Sequence, residues 1–214
     1  MNAYVFPFHG TWCHALPSGA LYLPDHALLC VSDLHLGKSD RIARRSGVML
    51  PPYEVIETLN KLAEDLAVTD ARQVICLGDS FDDLAAAESL DDDMRVRLIS
   101  LQAGRRWVWV EGNHDPGPVD LGGTHLAQVQ IGPLTFRHIA TAARAEISGH
   151  YHPKYRLAGR SRPAFVLDAE RMILPAYGAY TGGLDCSQPA IRQHFGPQAL
   201  AILTGRKAIV APLP

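Results

Sequence analysis

The chain has 214 residues, 47% of them hydrophobic and 20% charged, with a formal net charge of −2. That composition belongs to an ordinary globular protein and excludes disorder, collagen-like repeats and coiled coil. A balance so close to neutral also excludes a chain that gathers nucleic acid by bulk charge, so any such binding must come from a local basic patch.

The N-terminal residues 1–26 read as an added strand or hairpin, with no chemistry in His9, His14 or His26. The run Ala27–Asp33 is apolar and stops at a carboxylate. Gln73–Asp79 does the same, Trp107–Asn113 ends on an amide, and Ala145–His150 ends on an imidazole. Near-continuous apolar runs of this length fit strands buried on both faces. Between the first two, Pro51-Pro52 precedes a helical repeat of Ile56, Leu59, Ala63 and Leu66, with Glu54, Glu57, Lys61 and Glu64 on the solvent side. Between the second and third, Asp91-Asp92-Asp93 marks a helix N-terminus, followed by Met94, Leu98 and Leu101. Strand–helix alternation implies a mainly parallel sheet.

From about Gly132 the runs shorten: Leu134–His138, Ala164–Leu167, Arg171–Leu174, Ala201–Leu203 and Ala208–Val210. These predict a second, mixed or antiparallel sheet packed on the first. The expected fold is α/β, two stacked mixed sheets flanked by helices, in a single domain over residues 1–214. Cys13, Cys30, Cys76 and Cys186 form no CxxC pair and are expected as reduced thiols, Cys30 and Cys76 buried within apolar runs. No secretory leader pattern and no 18-residue apolar run occur, which points to the cytoplasm.

Ligands of open α/β sheets bind beyond the carboxyl ends of the strands. The residues there are Asp33 and His35, Asp79, Asn113 and His114, and His150 and His152. All are metal-ligand or acid–base types. In an extended segment residues i and i+2 point the same way, so Asp33 with His35, and His150 with His152, are expected to converge. Gly78, Gly112 and Gly149 precede ligand-type residues, where a missing Cβ admits close approach of backbone and metal. Each motif alone has a plain structural explanation, such as a helix cap or a turn. Four together do not.

This order of motifs (Asp-x-His, Gly-Asp, Gly-Asn-His-Asp, a lone His, Gly-His-x-His, over residues 31–152) resembles the calcineurin-like binuclear metallophosphoesterases. The resemblance implies that Asp33, His35 and His152 hold one metal, that Asn113, His138 and His150 hold the other, and that Asp79 bridges both. His138 is taken as the lone histidine because it ends the run from Leu134, while His125 follows Gly122-Gly123 in an expected loop. Two divalent ions bring +4 against −3 from Asp33, Asp79 and a bridging hydroxide, which leaves the centre attractive to an anionic phosphoester. Nitrogen-plus-oxygen donors without thiolate suit Mn²⁺ or Fe²⁺ and admit Zn²⁺, Co²⁺ or Ni²⁺, and Mn²⁺ is the ion expected in use. His114 is the candidate general acid, Asp115 its orienting partner, and Asp82 a partner for a metal-bound histidine.

Two cationic stretches follow ligand motifs: Lys38, Arg41, Arg44 and Arg45 after His35, and Lys154, Arg156, Arg160 and Arg162 after His152. With Tyr151, Tyr155 and Tyr180 they would flank one mouth and bind a single strand by phosphate contact and stacking. Ser32–Ser39 and Leu174–Leu184 further resemble the bacterial ligase-associated DNA damage response endonucleases, the PdeM branch. That likeness implies a manganese-dependent endonuclease preferring single-stranded DNA, working beside an ATP-dependent DNA ligase, a helicase and an exonuclease. The alternative is a phosphatase or diesterase for a small nucleotide-type substrate. Such enzymes usually need a cap over the metals, and no insertion here is long enough to build one.

Overall fold

The computed structural model describes residues 2–47, 53–117 and 119–214. Two mixed β-sheets stack against each other with helices on the flank, as the pattern of runs predicts. The first sheet consists of Tyr4–Phe8 (β1), Thr11–Ala15 (β2), Leu21–Leu23 (β3), Leu28–Ser32 (β4), Gln73–Leu77 (β5), Arg106–Val110 (β6) and Thr124–Leu126 (β7), hydrogen-bonded in that order. β4 to β7 run parallel, because helical crossovers join β4 to β5 and β5 to β6. The first 23 residues add the antiparallel strands β1–β3 to that parallel core.

The crossovers are Lys38–Ser46 (α1) and Tyr53–Thr69 (α2), then Leu84–Glu88 (α3) and Asp92–Gln102 (α4). α4 begins as its acidic run predicts, with the Asp91 carboxylate accepting from the Asp93 N–H at 3.0 Å. α2 buries only part of the face the repeat suggests. Val55, Thr58, Leu59, Leu62 and Leu66 point inward, while Ile56 is 38% exposed. Glu54 and Lys61, read as solvent-facing, turn toward the protein. Glu54 is buried and accepts from the Ser39 N–H and hydroxyl, and Lys61 Nζ donates to the Tyr177 carbonyl. Val55, Leu59, Leu62 and Leu66 recur at helical spacing themselves, so the buried stripe is offset by about one residue from the Ile56–Ala63 reading, and Glu54 and Lys61 fall beside it.

The second sheet contains Gln128–Ile131 (β8), Leu134–Arg137 (β9), Glu146–Ser148 (β10), Lys154–Leu157 (β11), Arg160–Leu167 (β12), Arg171–Ile173 (β13), Leu200–Leu203 (β14) and Ile209–Pro212 (β15). Its path is β15-β14-β12-β13-β10-β9-β8, with β11 paired to β12. β10 runs parallel to both neighbours and the other pairs are antiparallel. The short helix Pro189–Arg192 (α5) lies between β13 and β14. Phe6, Leu23, Ile75 and Val110 of one sheet meet Phe136, Ile147, Phe165 and Ile202 of the other. Leu59, Leu66 and Leu98 of the helices cover the far side of β4–β6. All four cysteines are buried free thiols. Among the described residues, no helix is long and apolar enough to cross a membrane.

Candidate metal centre

The carboxyl ends of β4, β5 and β6 and the ends of β9 and β10 open at one place. Asp33, Asp79 and Asn113 follow the first three, and His138 and His150 follow the last two. Convergence is not achieved by extended alternation. Asp33, His35, Asp79, His150 and His152 have φ of 54°, 46°, 43°, 71° and 47°. A left-handed backbone costs roughly 1 kcal/mol or more at each non-glycine residue and persists only where the surroundings enforce it. The strands have ended, and each side chain is aimed by a strained turn.

Three of the ligand-type residues, Asp33, His35 and His152, offer atoms within 4.8 Å of one another, and so do Asp79, His138 and His150. In the first group His152 Nε2 lies 3.1 Å from Asp33 Oδ1 and 3.3 Å from His35 Nε2. In the second, His138 Nε2 lies 3.3 Å from Asp79 Oδ2, 3.0 Å from Asn113 Oδ1 and 3.3 Å from His150 Nδ1. The other nitrogen of His138, Nδ1, donates to the Leu77 carbonyl at 3.2 Å. One imidazole nitrogen therefore faces a carboxylate oxygen, an amide oxygen and a second imidazole nitrogen, and it can donate to only one of them. Such a surplus of lone pairs over protons is what a divalent cation relieves. The donor set of imidazoles, carboxylates and an amide fits transition ions and lacks the all-oxygen character of a Ca²⁺ site.

The carboxylates are poised as anions. Burial works against ionising Asp79, but His138, by hydrogen bond and charge, and the His114 N–H hold its pKa at about 2. Burial likewise opposes ionised Asp33, and the His152 and His138 rings with the Ser32 hydroxyl bring it below the ordinary value. At His150, burial and the neighbouring His138 charge lower the pKa, favouring the neutral ring. Burial also acts against charged His138, but Asp79 and Asp33 outweigh it and raise its pKa.

The glycines preceding these residues make room for protein rather than for metal. A Cβ on Gly78 would lie 2.1 Å from His138 Nδ1, and one on Gly149 would lie 1.9 Å from Ser32 Oγ and 2.6 Å from Asp33 Oδ2. Each ligand turn thus packs directly on another. The glycine-rich stretch Leu174–Leu184 joins the same packing. The Tyr177 and Gly178 N–H groups donate to the carbonyls of Ser32 and Asp33 at 2.7 and 3.1 Å, and a Cβ on Gly178 would sit 1.9 Å from the Leu34 carbonyl oxygen. Tyr177 is itself fixed by its hydroxyl donating to Asp65 at 2.8 Å. Pattern reading missed this buttress, although Lys61 and Asp65, one turn apart on α2, were its visible trace.

His114 is half-buried, with Nε2 4.0 Å from Asp79 Oδ2 and Nδ1 donating to the Asp82 carbonyl at 2.9 Å. Asp115 does not orient it. Its carboxylate instead accepts from the N–H groups of Ser80, Phe81 and Gly112 at 2.8, 3.1 and 3.1 Å, tying the Asp79 turn to the Asn113 turn. Burial, with Asp79 nearby, lifts its pKa to about 6 despite those donors. Asp82 supports His35, with Oδ1 2.9 Å from Nδ1. His125 lies on β7 rather than in a loop. Its ring stacks beside Trp109 and its Nε2 accepts from the Val119 N–H at 3.4 Å, away from both ligand groups.

The first cationic stretch is α1, and much of its charge is already met. Arg41 reaches Asp82 at 2.9 Å, Lys38 lies 3.7 Å from the same carboxylate, and Arg44 pairs with Asp83 at 2.8 Å. Arg45 is exposed without an ion pair among the described residues. In the second stretch, Lys154 Nζ donates to the Thr181 carbonyl at 3.1 Å, while Arg156 is exposed on β11. Tyr151 packs against His150 and His194 with ring centroids 5.1 and 5.0 Å away, Tyr155 is half-buried, and Tyr180 is 45% exposed. Of the three tyrosines, only Tyr180 presents an open ring.

The calcineurin-like phosphoesterase family model matches residues 26–189, a span that holds every ligand-type residue above. The chain belongs to that family. Among solved structures, this phosphoesterase is similar to the nuclease MPE of Pseudomonas putida, with a TM-score of 0.77 and 27% identity over 99% of this chain and 100% of that one. A second structure is a conserved uncharacterized protein of Streptococcus pneumoniae TIGR4, described as a predicted phosphoesterase. It has a TM-score of 0.34 and 14% identity, covering 86% of this chain and 96% of that one. No curated protein matches the sequence.

Proposed function

We propose that this phosphoesterase is a phosphodiesterase that cuts DNA, acting as an endonuclease with a preference for single strands. The observation that carries the reading is the crowding of acceptors around His138 Nε2 beside the paired Nε2 atoms of His35 and His152. Asp33, His35 and His152 would hold one divalent cation, Asn113, His138 and His150 would hold the other, and Asp79 lies against the second set and within reach of the first. Mn²⁺ suits this donor set. When bound, the cations lower the pKa of water and neutralise charge on the phosphoryl group.

The protein's own groups supply the rest. Asp82 fixes the His35 ring, so that its Nε2 faces the centre. His114 keeps Nδ1 on the Asp82 carbonyl, and its Nε2 hands a proton to the departing oxygen. Arg45, Arg156 and Tyr180 stand exposed to meet the strand. Lys38, Arg41, Arg44 and Lys154 hold the lips in shape and contribute weaker long-range attraction. The likeness to a nuclease over both full chains supports a nucleic-acid substrate. A role in DNA repair beside a ligase, helicase and exonuclease, in the cytoplasm, extends the same reading.

The test is a panel of Mn²⁺, Mg²⁺, Zn²⁺ and chelator against single-stranded DNA, duplex DNA, mononucleotides and bis-p-nitrophenyl phosphate. Nicking of circular single-stranded DNA with Mn²⁺, abolished by Asp79→Asn, is the expected result. Hydrolysis confined to mononucleotides would replace the polymer by a small substrate.

A further inference from the structure

The residue before His138 is Arg137, the last of β9. It lines a cleft of about 420 Å³ together with Glu111, Asn113, Gln128, His138 and Ile139, so the cleft shares Asn113 and His138 with the candidate metal centre. Two edges of the Arg137 guanidinium are taken. Nε faces Glu146 Oε2 at 3.1 Å, and Nη2 donates to Gln128 Oε1 at 2.5 Å. Nη1 has no hydrogen-bond or ion-pair partner among the described residues, and the residue lines the cleft.

Glu146 is fully buried, and its carboxylate also accepts from the Thr141 N–H at 2.7 Å and hydroxyl at 2.6 Å. Withdrawing a carboxylate from water costs several kcal/mol unless opposite charge and donors meet it. Here two donors and the guanidinium charge meet it, and in return it holds the arginine by its inner edge. A guanidinium fixed on two sides presents its remaining N–H bonds with little further loss of side-chain freedom. Glu111, the cleft's own carboxylate, offsets the charge of Arg137. Anions are therefore not gathered there by field alone, and recognition must be a directional contact.

We infer that Arg137 is a substrate-recognition residue whose open edge receives the strand phosphate adjoining the one being hydrolysed, with Glu146 as its positioning residue. This rests on the nuclease reading and adds to it a phosphate subsite on the Asn113–His138 side of the centre.

The experiment compares the wild type with Arg137→Gln, Arg137→Lys and Glu146→Gln, each loaded with Mn²⁺, on a single-stranded oligonucleotide and on bis-p-nitrophenyl phosphate. Arg137→Gln is expected to lower the ratio of kcat/KM for the strand to that for the small diester by about tenfold or more, through KM. It should also flatten the slope of log KM against log salt by roughly 0.7, the loss of one single-strand phosphate contact. Arg137→Lys should recover the salt slope but only part of the ratio, and Glu146→Gln should lower the ratio without loss of bound metal. An unchanged ratio and slope in both Arg137 variants overturns the inference while leaving the nuclease reading intact. A wild type that cleaves the small diester but never the strand removes both.

Discussion

His35 and His152, 117 residues apart in the chain, place their Nε2 atoms 3.3 Å from each other. Asp82 Oδ1 lies 2.9 Å from His35 Nδ1 on the far side of the ring, so both Nε2 atoms and Asp33 Oδ1 are turned toward one point. A cation there would bind the folded chain and not the unfolded one. At one hundred times its dissociation constant, Mn²⁺ should stabilise by about 2.7 kcal/mol per site, raising Tm by roughly 5–10 °C. Scanning calorimetry with and without Mn²⁺ checks this, and in His35→Ala the shift should shrink by about half or more.

His114→Ala should leave both metals in place by elemental analysis: its ring gathers only with His35 and Asp82, while Asp33 with His152 and Asp79 with His138 and His150 remain intact without it. Its effect should grow with the basicity of the departing oxygen, reaching roughly 10²- to 10⁴-fold on DNA and far less on p-nitrophenyl esters. Loss of a metal would show that the ring is a ligand instead of an acid.

Gly178 abuts the turn that carries Asp33 and His35. Gly178→Ala puts a methyl 1.9 Å from the Leu34 carbonyl oxygen, so the turn must move. Strain of this kind costs about 1–3 kcal/mol, and Tm should fall by roughly 2–12 °C. Metal affinity should fall with it, since the displaced backbone aims two candidate ligands. A variant of unchanged Tm and metal content would mean that the buttress is dispensable.

The two adjacent arginines of α1 should behave differently. Arg44 is held by Asp83 and Asp40, whereas Arg45 has no ion pair among the described residues. Arg45→Ala should weaken DNA cleavage and flatten its salt dependence by roughly 0.7 in log–log slope. Arg44→Ala should have a smaller effect, because its charge is already paired. Equal effects would return both residues to the strand-binding face.

Asp65 gives a pH signature to the buttress. Burial raises its carboxyl above the ordinary value of 3.8, although Ser18, Tyr177 and Lys61 pull the other way and Glu64 adds to the rise. From about pH 4 upward, to that raised value, the folded chain keeps a proton that the unfolded chain has released. Stability therefore falls as pH rises across that window. In Asp65→Asn that component vanishes, so the Tm of the wild type should fall relative to that of the variant on going from acid toward neutral pH. A pH-independent difference would place the ionised form in the fold.

Chemistry was written in order along the chain and could be read there. Short apolar runs ending in Asp, Asn or His set strand ends as well as ligand types, because a buried parallel strand needs an unbroken apolar run and a site needs polar groups where it stops. What the sequence left open was every relation that depends on which backbone lies against which. The left-handed turns at Asp33 and His35, the use of Asp115 as a clamp on three N–H groups, and the pairing of Arg41 and Arg44 with Asp82 and Asp83 all arise from contacts between distant segments. Residue periodicity reports how a helix or strand divides between core and water, so it could mark where the strands stop and which ligand-type side chains stand there. It carries no term for the packing of one turn on another, and that packing alone determines where each donor points.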